Sequence, residues 1–267
     1  MDSTTFERLR AIVYENSGIS LKPSKEAMVS ARVAKRMRTL GISSHKEYLQ
    51  LLEQDTTGDE ITRFLDVIST NVTSFFRENE HFDFLKELVS EWLKNGKTKI
   101  RAWSAASSTG EEALSIAMTL YDVLNGCPYD FRVLATDIST HVLARAQRGV
   151  YDSSQMEKVS SAMRNRFFQP VSTQRGCDFQ IRDEILHHIV YRRLNLSRPP
   201  FPMRGQLDIV FCRNVMIYFD DATRNKLVAE IYRLLLPGGF LFTGHAESLS
   251  SLQTDFTYIR PTIYQKK

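Results

Sequence analysis

The sequence is poor in cysteine, in long apolar runs and in charge of one sign, and each shortage excludes a class of protein. Its three cysteines are odd in number and far apart, which predicts a reducing compartment and excludes a disulfide framework. No apolar run approaches the roughly 20 residues that a membrane-spanning helix needs. The start, M-D-S-T-T-F-E-R, has neither the basic stretch nor the apolar core of a signal peptide. We therefore expect a cytoplasmic protein that is not inserted in a membrane.

Metal-binding motifs and a strong net charge are also lacking. Neither C-x-x-C nor H-x-x-x-H occurs, and His187 and His188, interpreted as neighbours in a strand, would point to opposite faces. We therefore predict that the chain binds no metal. The formal net charge of +4 is too small to indicate a nucleic-acid partner, and we expect none.

Residues 1–70 predict a small helical bundle, which we interpret as an amino-terminal domain. Apolar side chains recur at helical spacing, and no strand pattern interrupts them. Turn and capping signals divide the segment into four helices. The first ends at Asn16-Ser17-Gly18, the second runs from Pro23 to Leu40, the third from His45 to Gln54 behind a Ser44 cap, and the fourth from Glu60 to Ile68.

The second of these helices is strongly basic. Its cations are Lys25, Arg32, Lys35, Arg36 and Arg38, and Glu26 is the single acid among them. Arg32 and Arg36 are four residues apart and so share one face, with Lys35 beside them. By itself this pattern is compatible with a solvated helix surface or with a docking face for an acidic partner.

Residues 86–267 alternate strands and helices, which predicts a doubly wound, Rossmann-like α/β domain. Strands are predicted at Lys99–Trp103, Arg132–Ala135, Leu207–Cys212 and Phe240–Gly244, and helices at Gly110–Leu124, Thr140–Arg148 and Ala222–Leu235. Short alternating runs over residues 165–194, among them Ile189–Tyr191, predict a small antiparallel β insertion. The segment Phe256–Tyr264 predicts a final edge strand.

The segment that follows the strand Leu207–Cys212 indicates a binding site. This apolar run opens abruptly onto the polar pair Arg213-Asn214, and ligands of parallel sheets bind at the carboxyl ends of the strands. Asp220 and Asp221 then begin a helix. We expect that helix to end near Leu236, where Pro237-Gly238-Gly239 turns the chain into the next strand.

The turn after the first predicted strand, Ser104–Glu112, reads S-A-A-S-S-T-G-E-E. Its small residues let the backbone approach a ligand, but it lacks both G-x-G-x-x-G and a Walker lysine. Glu111 and Glu112 would repel a diphosphate and would suit a positively charged cofactor such as S-adenosylmethionine. The same two acids are equally compatible with simple complementation of the helix dipole.

Two further polar residues fit a nucleoside cofactor. Asp137 ends the next predicted strand, about where a carboxylate accepts hydrogen bonds from both ribose hydroxyls. The alternative is that Asp137 only caps the following helix. Asn195 can both donate and accept a hydrogen bond, as contact with an adenine edge requires.

Residues 71–85 are interpreted as a linker between the two domains that contributes to the cofactor site. Phe75 and Phe76 are explained by packing between the domains. Asn71, Thr73 and Arg77 are harder to explain by packing, so we regard them as candidate site residues.

Five motifs, in order along the chain, resemble the chemotaxis receptor methyltransferase family, CheR. They are N-V-T-S-F-F-R-E, W-S-A-A-S-S-T-G-E-E-A-L-S-I-A-M, A-T-D-I-S, F-C-R-N-V-M-I-Y-F and L-x-P-G-G-x-L-F-x-G-H-x-E. The resemblance extends to the helical amino-terminal segment. It implies an S-adenosylmethionine-dependent methyltransferase that esterifies glutamate side chains in the cytoplasmic helical domain of chemoreceptors, with S-adenosylhomocysteine as product. Such methylation serves adaptation in bacterial chemotaxis-type signalling.

The resemblance also implies roles for individual residues. The cofactor site would be lined by Asn71, Thr73, Arg77, Glu112, Asp137, Asn195, Leu196, Arg213 and Asn214. Arg77 and Tyr218 would lie near the transferred methyl group, in catalytic roles. The basic helix would dock the substrate receptor through Arg32, Lys35, Arg36 and Arg38. We expect S-adenosylmethionine and no metal as cofactor, and a monomeric enzyme.

Two segments depart from the family pattern. Ala106-Ser107 stand where many relatives carry Gly-Cys, and the residues remain small. The run Gln174–Asp178 does not match the glycine-rich turn associated with binding a pentapeptide tether at a receptor's carboxyl terminus.

Two other functions compete with this interpretation. An amino-group methyltransferase acting on nucleic acid would carry N/D-P-P-Y after its fourth strand, where this chain has Arg213-Asn214-Val215-Met216; a small molecule is another possible acceptor. The second alternative is a receptor-binding or cofactor-sensing module without catalysis, against which the intact Arg77, Asp137 and Asn214 argue.

Overall fold

The computed structural model describes residues 1–69, 71–124, 130–173 and 176–267, which form a helical unit and an α/β unit. Cys127 lies outside these ranges, as do Gln174 and Arg175 of the run compared with the tether-binding turn. Within the described residues, no helix is both long and apolar enough to cross a membrane.

The helical unit contains the four predicted helices around one apolar core. They are α1 (Ser3–Ser17), α2 (Glu26–Leu40, preceded by a 3₁₀ turn at Pro23–Lys25), α3 (His45–Glu53) and α4 (Asp59–Ile68). The Ser44 side chain accepts a hydrogen bond from the Glu47 N–H, as the predicted cap of α3 requires. Leu9, Val33 and Phe64 are among the side chains that the helices bury at their centre.

The α/β unit begins with a helix that the sequence did not predict, α5 (Glu80–Lys94). Its later elements are β1 (Lys99–Ser104), α6 (Glu111–Val123), β2 (Asp130–Asp137), α7 (Thr140–Arg148), β3 (Val150–Tyr151), α8 (Ser161–Phe167), β4 (Phe168–Thr173), β5 (Gly176–Ile181), α9 (Asp183–Leu186) and β6 (Ile189–Arg193). The chain continues through β7 (Leu207–Cys212), a 3₁₀ turn (Met216–Tyr218), α10 (Asp221–Leu234), β8 (Leu235–Thr243), β9 (Thr257–Arg260) and β10 (Ile263–Gln265).

The main sheet has the order β6-β2-β1-β7-β8-β10-β9, and its first five strands are parallel. Strand β7 is buried along its whole length, as its continuous apolar run predicts. Ile209 and Phe211 belong to the core on one face of the sheet, and Val210 and Cys212 to the core on the other. Helices therefore cover both faces, and the predicted doubly wound fold is confirmed.

Three features of the sheets differ from the sequence-based expectation. Ile189–Tyr191, assigned to the antiparallel insertion, lies in β6 and pairs in parallel with β2 in the main sheet. The small antiparallel sheet instead has the order β3-β5-β4. The predicted final edge strand is a hairpin of β9 and β10, interrupted at Pro261-Thr262. Short alternating runs look alike in either kind of sheet, which explains the misassignment of β6.

The junction between α10 and β8 also differs from the prediction. The helix ends at Leu234, two residues before Leu236, and Leu235 already pairs with Leu207. Pro237-Gly238-Gly239 lies within β8, where the pairing to β7 resumes only at Phe240. The extra residues form a bulge whose Gly238 N–H donates to the Lys266 carbonyl. The Pro-Gly-Gly run therefore reshapes a strand after the helix has ended.

The segment interpreted as a linker belongs to the α/β unit. The expected boundary at residue 86 falls inside α5. Phe75 is fully buried, and its ring packs edge-on against Tyr151 and Phe168. Phe76 packs in the same way against Phe82 of α5. Both rings join the core of the α/β unit, so packing between the domains was the wrong interpretation for them.

Gly110, at the start of α6, has a backbone φ of 97°. A Cβ there would lie 2.8 Å from Ala146 Cβ and 3.0 Å from the Tyr151 hydroxyl oxygen, whereas at Gly96, with φ 76°, nothing lies within 4 Å. Both positions lie in the α/β unit and disfavour any residue with a Cβ, but only Gly110 adds a clash.

We expect Gly110→Ala to lower the free energy of unfolding by about 1–3 kcal/mol more than Gly96→Ala, because overpacking adds to the shared backbone strain. Both tryptophans, Trp92 and Trp103, lie in the α/β unit, so urea denaturation followed by their fluorescence measures its stability. Equal losses in the two variants would contradict the clash at Gly110.

Candidate functional site

A cavity of about 450 Å³ lies between the helical unit and the carboxyl ends of β1, β2 and β7. This volume is within the usual range of small-molecule sites. The cavity is lined by every predicted cofactor residue, namely Asn71, Thr73, Arg77, Glu112, Asp137, Asn195, Leu196, Arg213 and Asn214. Tyr218 also lines it. Residues spread over 140 positions of the chain thus meet at one site.

The turn after β1 forms one wall of the cavity. Ala105 and Ala106 present small side chains, and Ser108 takes a left-handed backbone conformation with φ 48°. The Ser107 N–H donates to the Thr136 carbonyl at 2.9 Å, and the Ser108 N–H donates to Asp137 Oδ2 at 2.9 Å. The ends of β1 and β2 are thereby tied together with little side-chain bulk between them and a ligand.

Asp137 is buried at the end of β2, and burial raises the pKa of its carboxyl against the opposing hydrogen bonds. Its Oδ1 accepts from the Ser139 N–H and its Oδ2 from the Ser108 N–H, both at 2.9 Å. The N-cap of α7 is Ser139, whose hydroxyl accepts from the Val142 N–H. Helix capping therefore does not use Asp137. A carboxylate can accept about four hydrogen bonds, so this one retains acceptor capacity toward the cavity.

The two glutamates at the start of α6 have separate surroundings. Glu111 is buried behind the cavity wall, where its carboxylate accepts from Thr109 Oγ1 at 2.6 Å and Gln155 Nε2 at 2.8 Å. Glu112 lines the cavity and accepts from Ser104 Oγ at 2.7 Å. Burial raises the pKa of Glu112, while the charge of Arg213 opposes that increase. Only Glu112 is placed to meet a ligand.

Arg213 is the cation at the centre of the site, and its side chain is only 1% exposed. Its guanidinium lies 3.1 Å from Glu78 Oε2 and 3.3 Å from Glu112 Oε2, and it also donates to the Arg77 carbonyl. The same group lies over the rings of Phe82 and Phe211. A buried charge is stable only when paired and hydrogen-bonded in this way.

The charges around Arg213 shift the pKa values of their neighbours. Burial raises the pKa of Glu78, but Arg213, the Asn214 amide and His245 outweigh it, so the net pKa is lowered. Burial and then the charge of Arg213 lower the pKa of His81 to about 4, so His81 is neutral at pH 7. Glu78 had not been predicted as a site residue. It stands in the motif N-V-T-S-F-F-R-E, which was a signal for it.

Arg77 lies between two residues with left-handed backbones, Phe76 at φ 51° and Glu78 at φ 56°. This turn buries Phe75 and brings the Arg77 side chain to the cavity, where its Nη1 donates to the Val72 carbonyl at 3.0 Å. Val72 itself is 75% exposed at the cavity mouth. Strained backbone of this kind persists where surrounding contacts fix it, here the bond from Arg213 to the Arg77 carbonyl.

Asn214 follows Arg213 with a left-handed φ of 57° and is held by Glu247, a residue that sequence reasoning did not single out. Glu247 Oε2 accepts from the N–H groups of Asn214 at 2.6 Å and Gly244 at 2.7 Å. Its Oε1 accepts from the Ile217 N–H at 3.2 Å. Glu247 therefore fixes the loop between β7 and α10. The only signal for it was its place in the motif L-x-P-G-G-x-L-F-x-G-H-x-E.

Asn195 lines the cavity, but its side chain is engaged elsewhere. Its Nδ2 donates to the Asn16 carbonyl at 2.7 Å, and its Oδ1 accepts from both the N–H and the hydroxyl of Ser197, at 3.0 and 2.8 Å. Both acceptor positions of Oδ1 are used, and Nδ2 keeps one of its two hydrogens for a ligand. It joins the α/β unit to α1. Leu196 offers the cavity an apolar contact.

The helical unit contributes to the site through residues that we had not predicted. Lys22, Lys25 and Met28 line the cavity. The Ser20 N–H donates to the Tyr218 carbonyl at 2.8 Å, and Tyr14 Oη donates to Asp220 Oδ2 at 2.6 Å. The first bond attaches the segment after α1 to the 3₁₀ turn that carries Tyr218, and the second attaches α1 itself to the N-cap of α10. No sequence pattern indicated them, because they join residues about 200 positions apart.

The predicted docking residues of α2 have two kinds of surroundings. Arg36 forms a two-point ion pair with Glu60, with Nε–Oε1 at 2.9 Å and Nη2–Oε2 at 2.6 Å. Arg32 donates to the Ile68 carbonyl at 2.5 Å. These two arginines hold α2 against α4. Lys35 and Arg38 are exposed.

The two parts of the chain match two family models. Residues 71–265 match the model described as "CheR methyltransferase, SAM binding domain", and residues 4–69 match "CheR methyltransferase, all-alpha domain". The chain belongs to the CheR methyltransferase family. The resemblance of the five motifs is thereby confirmed.

Curated members of the CheR family align with nearly the full chain. It is 40% identical to the "Probable chemotaxis protein methyltransferase" of Rhizobium etli over 243 residues, which are 90% of each protein. It is 37% identical to the "Chemotaxis protein methyltransferase" of Escherichia coli K12, with 97% of this chain and 89% of that protein aligned. The corresponding Salmonella typhimurium protein is 36% identical over 97% of this chain and 88% of its own length.

The pairing of Arg213 with Glu78 and Glu112 predicts a large cost for its removal. We expect Arg213→Met to lower the free energy of unfolding by about 3–5 kcal/mol at neutral pH, because both carboxylates lose their buried cation. The matched control is Arg166→Met, which breaks the half-exposed pair with Asp122 and should cost no more than about 1 kcal/mol.

The pH dependence of this loss has a defined sign. In the wild type the pKa of Glu78 is lowered, so its ion pair contributes stability above the unfolded pKa and loses it as the pH falls. Without Arg213 the two carboxylates protonate more easily. The loss of unfolding free energy in Arg213→Met should therefore become smaller as the pH falls from about 8 to about 5. Urea denaturation at each pH measures it. A deficit that stays constant with pH would contradict the charge argument.

Proposed function

We propose that this chain is an S-adenosylmethionine-dependent protein-glutamate O-methyltransferase that esterifies glutamate side chains of chemoreceptors. The observation that carries the proposal is the convergence of the CheR family's motif residues on one cavity. The chemotaxis protein methyltransferases among its relatives support a role in adaptation. We further propose that the enzyme is cytoplasmic and monomeric, and that its substrate is the cytoplasmic helical domain of the receptor.

The polar groups of the cavity fit this cofactor. The half-buried carboxylate of Glu112 suits the ammonium group and the buried carboxylate of Asp137 suits the ribose hydroxyls, and the small side chains beside Ser108 leave room for the backbone to approach. We assign the remaining cofactor contacts to Asn71, Thr73, Arg77, Asn195, Leu196, Arg213 and Asn214, with Asn195 in a supporting role. When bound, the cofactor supplies a methyl group whose bond to sulfur breaks as a carboxylate oxygen bonds to its carbon.

The chain's own task is alignment, because the nucleophile needs no activation. A glutamate side chain, with a reference pKa near 4.3, is already ionised at neutral pH, so no general base is required. Arg77 orients the acceptor carboxylate through charge-assisted hydrogen bonds from the cavity mouth. Tyr218, which also lines the cavity, positions the acceptor. The helical unit limits the access of water.

The proposed docking surface for the receptor is the exposed part of the basic helix and the mouth beside it. Lys35 and Arg38 offer exposed cations, and Lys22 and Lys25 line the cavity itself. Arg32 and Arg36 shape this surface while they hold α2 against α4. A glutamate-rich helix complements these positive charges, which would steer its approach.

The role of Asp137 can be tested by binding alone. We expect Asp137→Asn to weaken S-adenosylmethionine binding by about 1.5–3 kcal/mol, the scale of hydrogen bonds to a charged group. Asp130→Asn is the control, since Asp130 is exposed at the other end of the same strand. Isothermal titration calorimetry measures both. Equal affinities would mean that Asp137 serves only the backbone of the turn.

The reaction is tested by the chemical stability of its product. The protein is incubated with methyl-labelled S-adenosylmethionine and receptor-rich bacterial membranes, and methanol released by base is counted, because esters hydrolyse in base whereas N-methyl groups do not. We expect base-labile counts above a receptor-free control. Base-stable counts would indicate another acceptor class. An absence of counts with intact cofactor binding would favour a module without catalysis.

Arg77→Ala should remove nearly all base-labile transfer, because the acceptor loses its orienting cation, while the fold is retained. The matched control is Arg192→Ala, since Arg192 is exposed on β6 and does not line the cavity. Circular dichroism checks the fold of both variants. Undiminished turnover in Arg77→Ala would refute the role of Arg77.

A further inference from the structure

A compact group of metal-ligating side chains lies behind the cavity, between the segment before α5 and the segment after β8. Glu78, His81 and His245 each offer one ligand atom, and these atoms all lie within 4.8 Å of one another. His81 Nδ1 is 3.6 Å from Glu78 Oε2, and His245 Nε2 is 3.9 Å from the same oxygen. The group includes residues far apart in the sequence, so no motif indicated it, and we predicted no metal.

The hydrogen bonds of His81 define which of its nitrogens carries the proton. Its Nε2 lies 2.7 Å from Thr262 Oγ1, and that hydroxyl donates to the Pro261 carbonyl at 2.6 Å. Because the hydroxyl proton is used there, Thr262 accepts and His81 Nε2 carries the hydrogen. Nδ1 is therefore the unprotonated nitrogen, with its lone pair directed away from Thr262.

That lone pair faces a carboxylate oxygen and has no hydrogen-bond partner. The His81 side chain is fully buried, and its Nδ1 is unpaired within the described structure. Two electron-rich atoms, Nδ1 and Glu78 Oε2, thus face each other without a proton between them. A buried unsatisfied acceptor costs free energy, and a cation bound to both atoms would remove that cost.

The charge around the group permits a divalent cation. Glu78, Glu80 and Glu112 are near it, with Arg213 as the neighbouring guanidinium. Arg213 lies 3.1 Å from Glu78 Oε2 and opposes a cation there, but three carboxylates outweigh its single charge. His245 Nε2 also contacts Glu80 Oε1, so Glu80 can complete the set as a fourth ligand.

We propose that Glu78, His81 and His245 bind one Zn²⁺ ion, with Glu80 or water as the fourth ligand. Two imidazole nitrogens and a carboxylate are a typical ligand set for zinc. Tetrahedral bonds of about 2.0–2.1 Å place ligand atoms about 3.3 Å apart. The two distances to Glu78 Oε2, 3.6 and 3.9 Å, need to shorten by only a few tenths of an ångström, and the two histidine nitrogens, within 4.8 Å of each other, are brought together by a turn of the exposed His245 side chain. The bond of His81 Nε2 to Thr262 is the outer-shell contact that such a ligand usually makes.

The ion would act on the cavity through Glu78 and would not touch the substrate. Glu78 Oε1 accepts from Asn214 Nδ2 at 3.4 Å, and its Oε2 pairs with Arg213. A metal on Glu78 would fix the carboxylate that holds both residues. It would also join the start of α5 to the end of β8. Binding of the ion can be measured without the proposed methyl transfer.

The test is the binding of Zn²⁺ alone to the full-length, tag-free protein after chelator treatment. Calorimetry and elemental analysis should show one Zn²⁺ per chain with micromolar or tighter affinity. His245→Ala should weaken that affinity at least about tenfold, because it removes an exposed ligand without disturbing the core. The matched control His187→Ala, exposed beside β6, should bind as the wild type does.

A second readout separates this site from binding elsewhere, such as at the exposed Cys177. Co²⁺ in place of Zn²⁺ should give the visible absorption of a tetrahedral nitrogen- and oxygen-ligated ion in the wild type, and His245→Ala should abolish it. Failure of the wild type to bind Zn²⁺ at micromolar concentration would overturn the proposal. Equal Zn²⁺ affinity in the wild type and His245→Ala would overturn it as well.

Discussion

The arrangement of the site depends on one buried cation. Arg213 stands at the end of the central strand β7, almost fully shielded from water, and is paired with Glu78 from the segment before α5 and Glu112 from the first turn of α6. It also holds the strained turn at Arg77 through a backbone carbonyl. Two separate stretches of chain therefore converge on a guanidinium that belongs to a third. The ion pairs and the contacts with the rings of Phe82 and Phe211 offset the free-energy cost of burying this charge. These contacts position residues that line the cavity.

A second constraint is that neither unit forms the cavity alone. The α/β unit supplies the strand ends and their acids, and the helical unit supplies Lys22, Lys25 and Met28 at the mouth. The two are joined by specific bonds, from Asn195 to the Asn16 carbonyl and from Ser20 to the Tyr218 carbonyl. The amino-terminal unit thus has a geometric role at the site. It supplies part of the cavity wall, including the cations Lys22 and Lys25.

The sequence predicted the fold and the location of the cavity better than the contacts within it. Strand ends such as Arg213-Asn214 are visible in sequence because an apolar run stops at a polar pair, and caps such as Ser44 are local. The hydrogen-bond and ion-pair partners of a residue cannot be read from the sequence in this way. Glu78 meets Asn214 across 136 positions, and Glu247 meets it across 33. The same reason hid the bond of Asn195 to α1 and the pairing of Arg36 with Glu60. Strand β6 was misassigned because a short alternating run does not specify its neighbour.

The placement of the cavity at the boundary of the two units has a consequence for how the protein unfolds. A ligand held by residues of both units binds only while both are folded, so its binding free energy stabilises the contact between them. Without ligand, the helical bundle and the α/β unit can lose structure in separate steps, since each has its own apolar core. With ligand, those steps are thermodynamically linked and tend toward one cooperative transition. Ligand binding in the cavity would then make the helical bundle more rigid, including its surface.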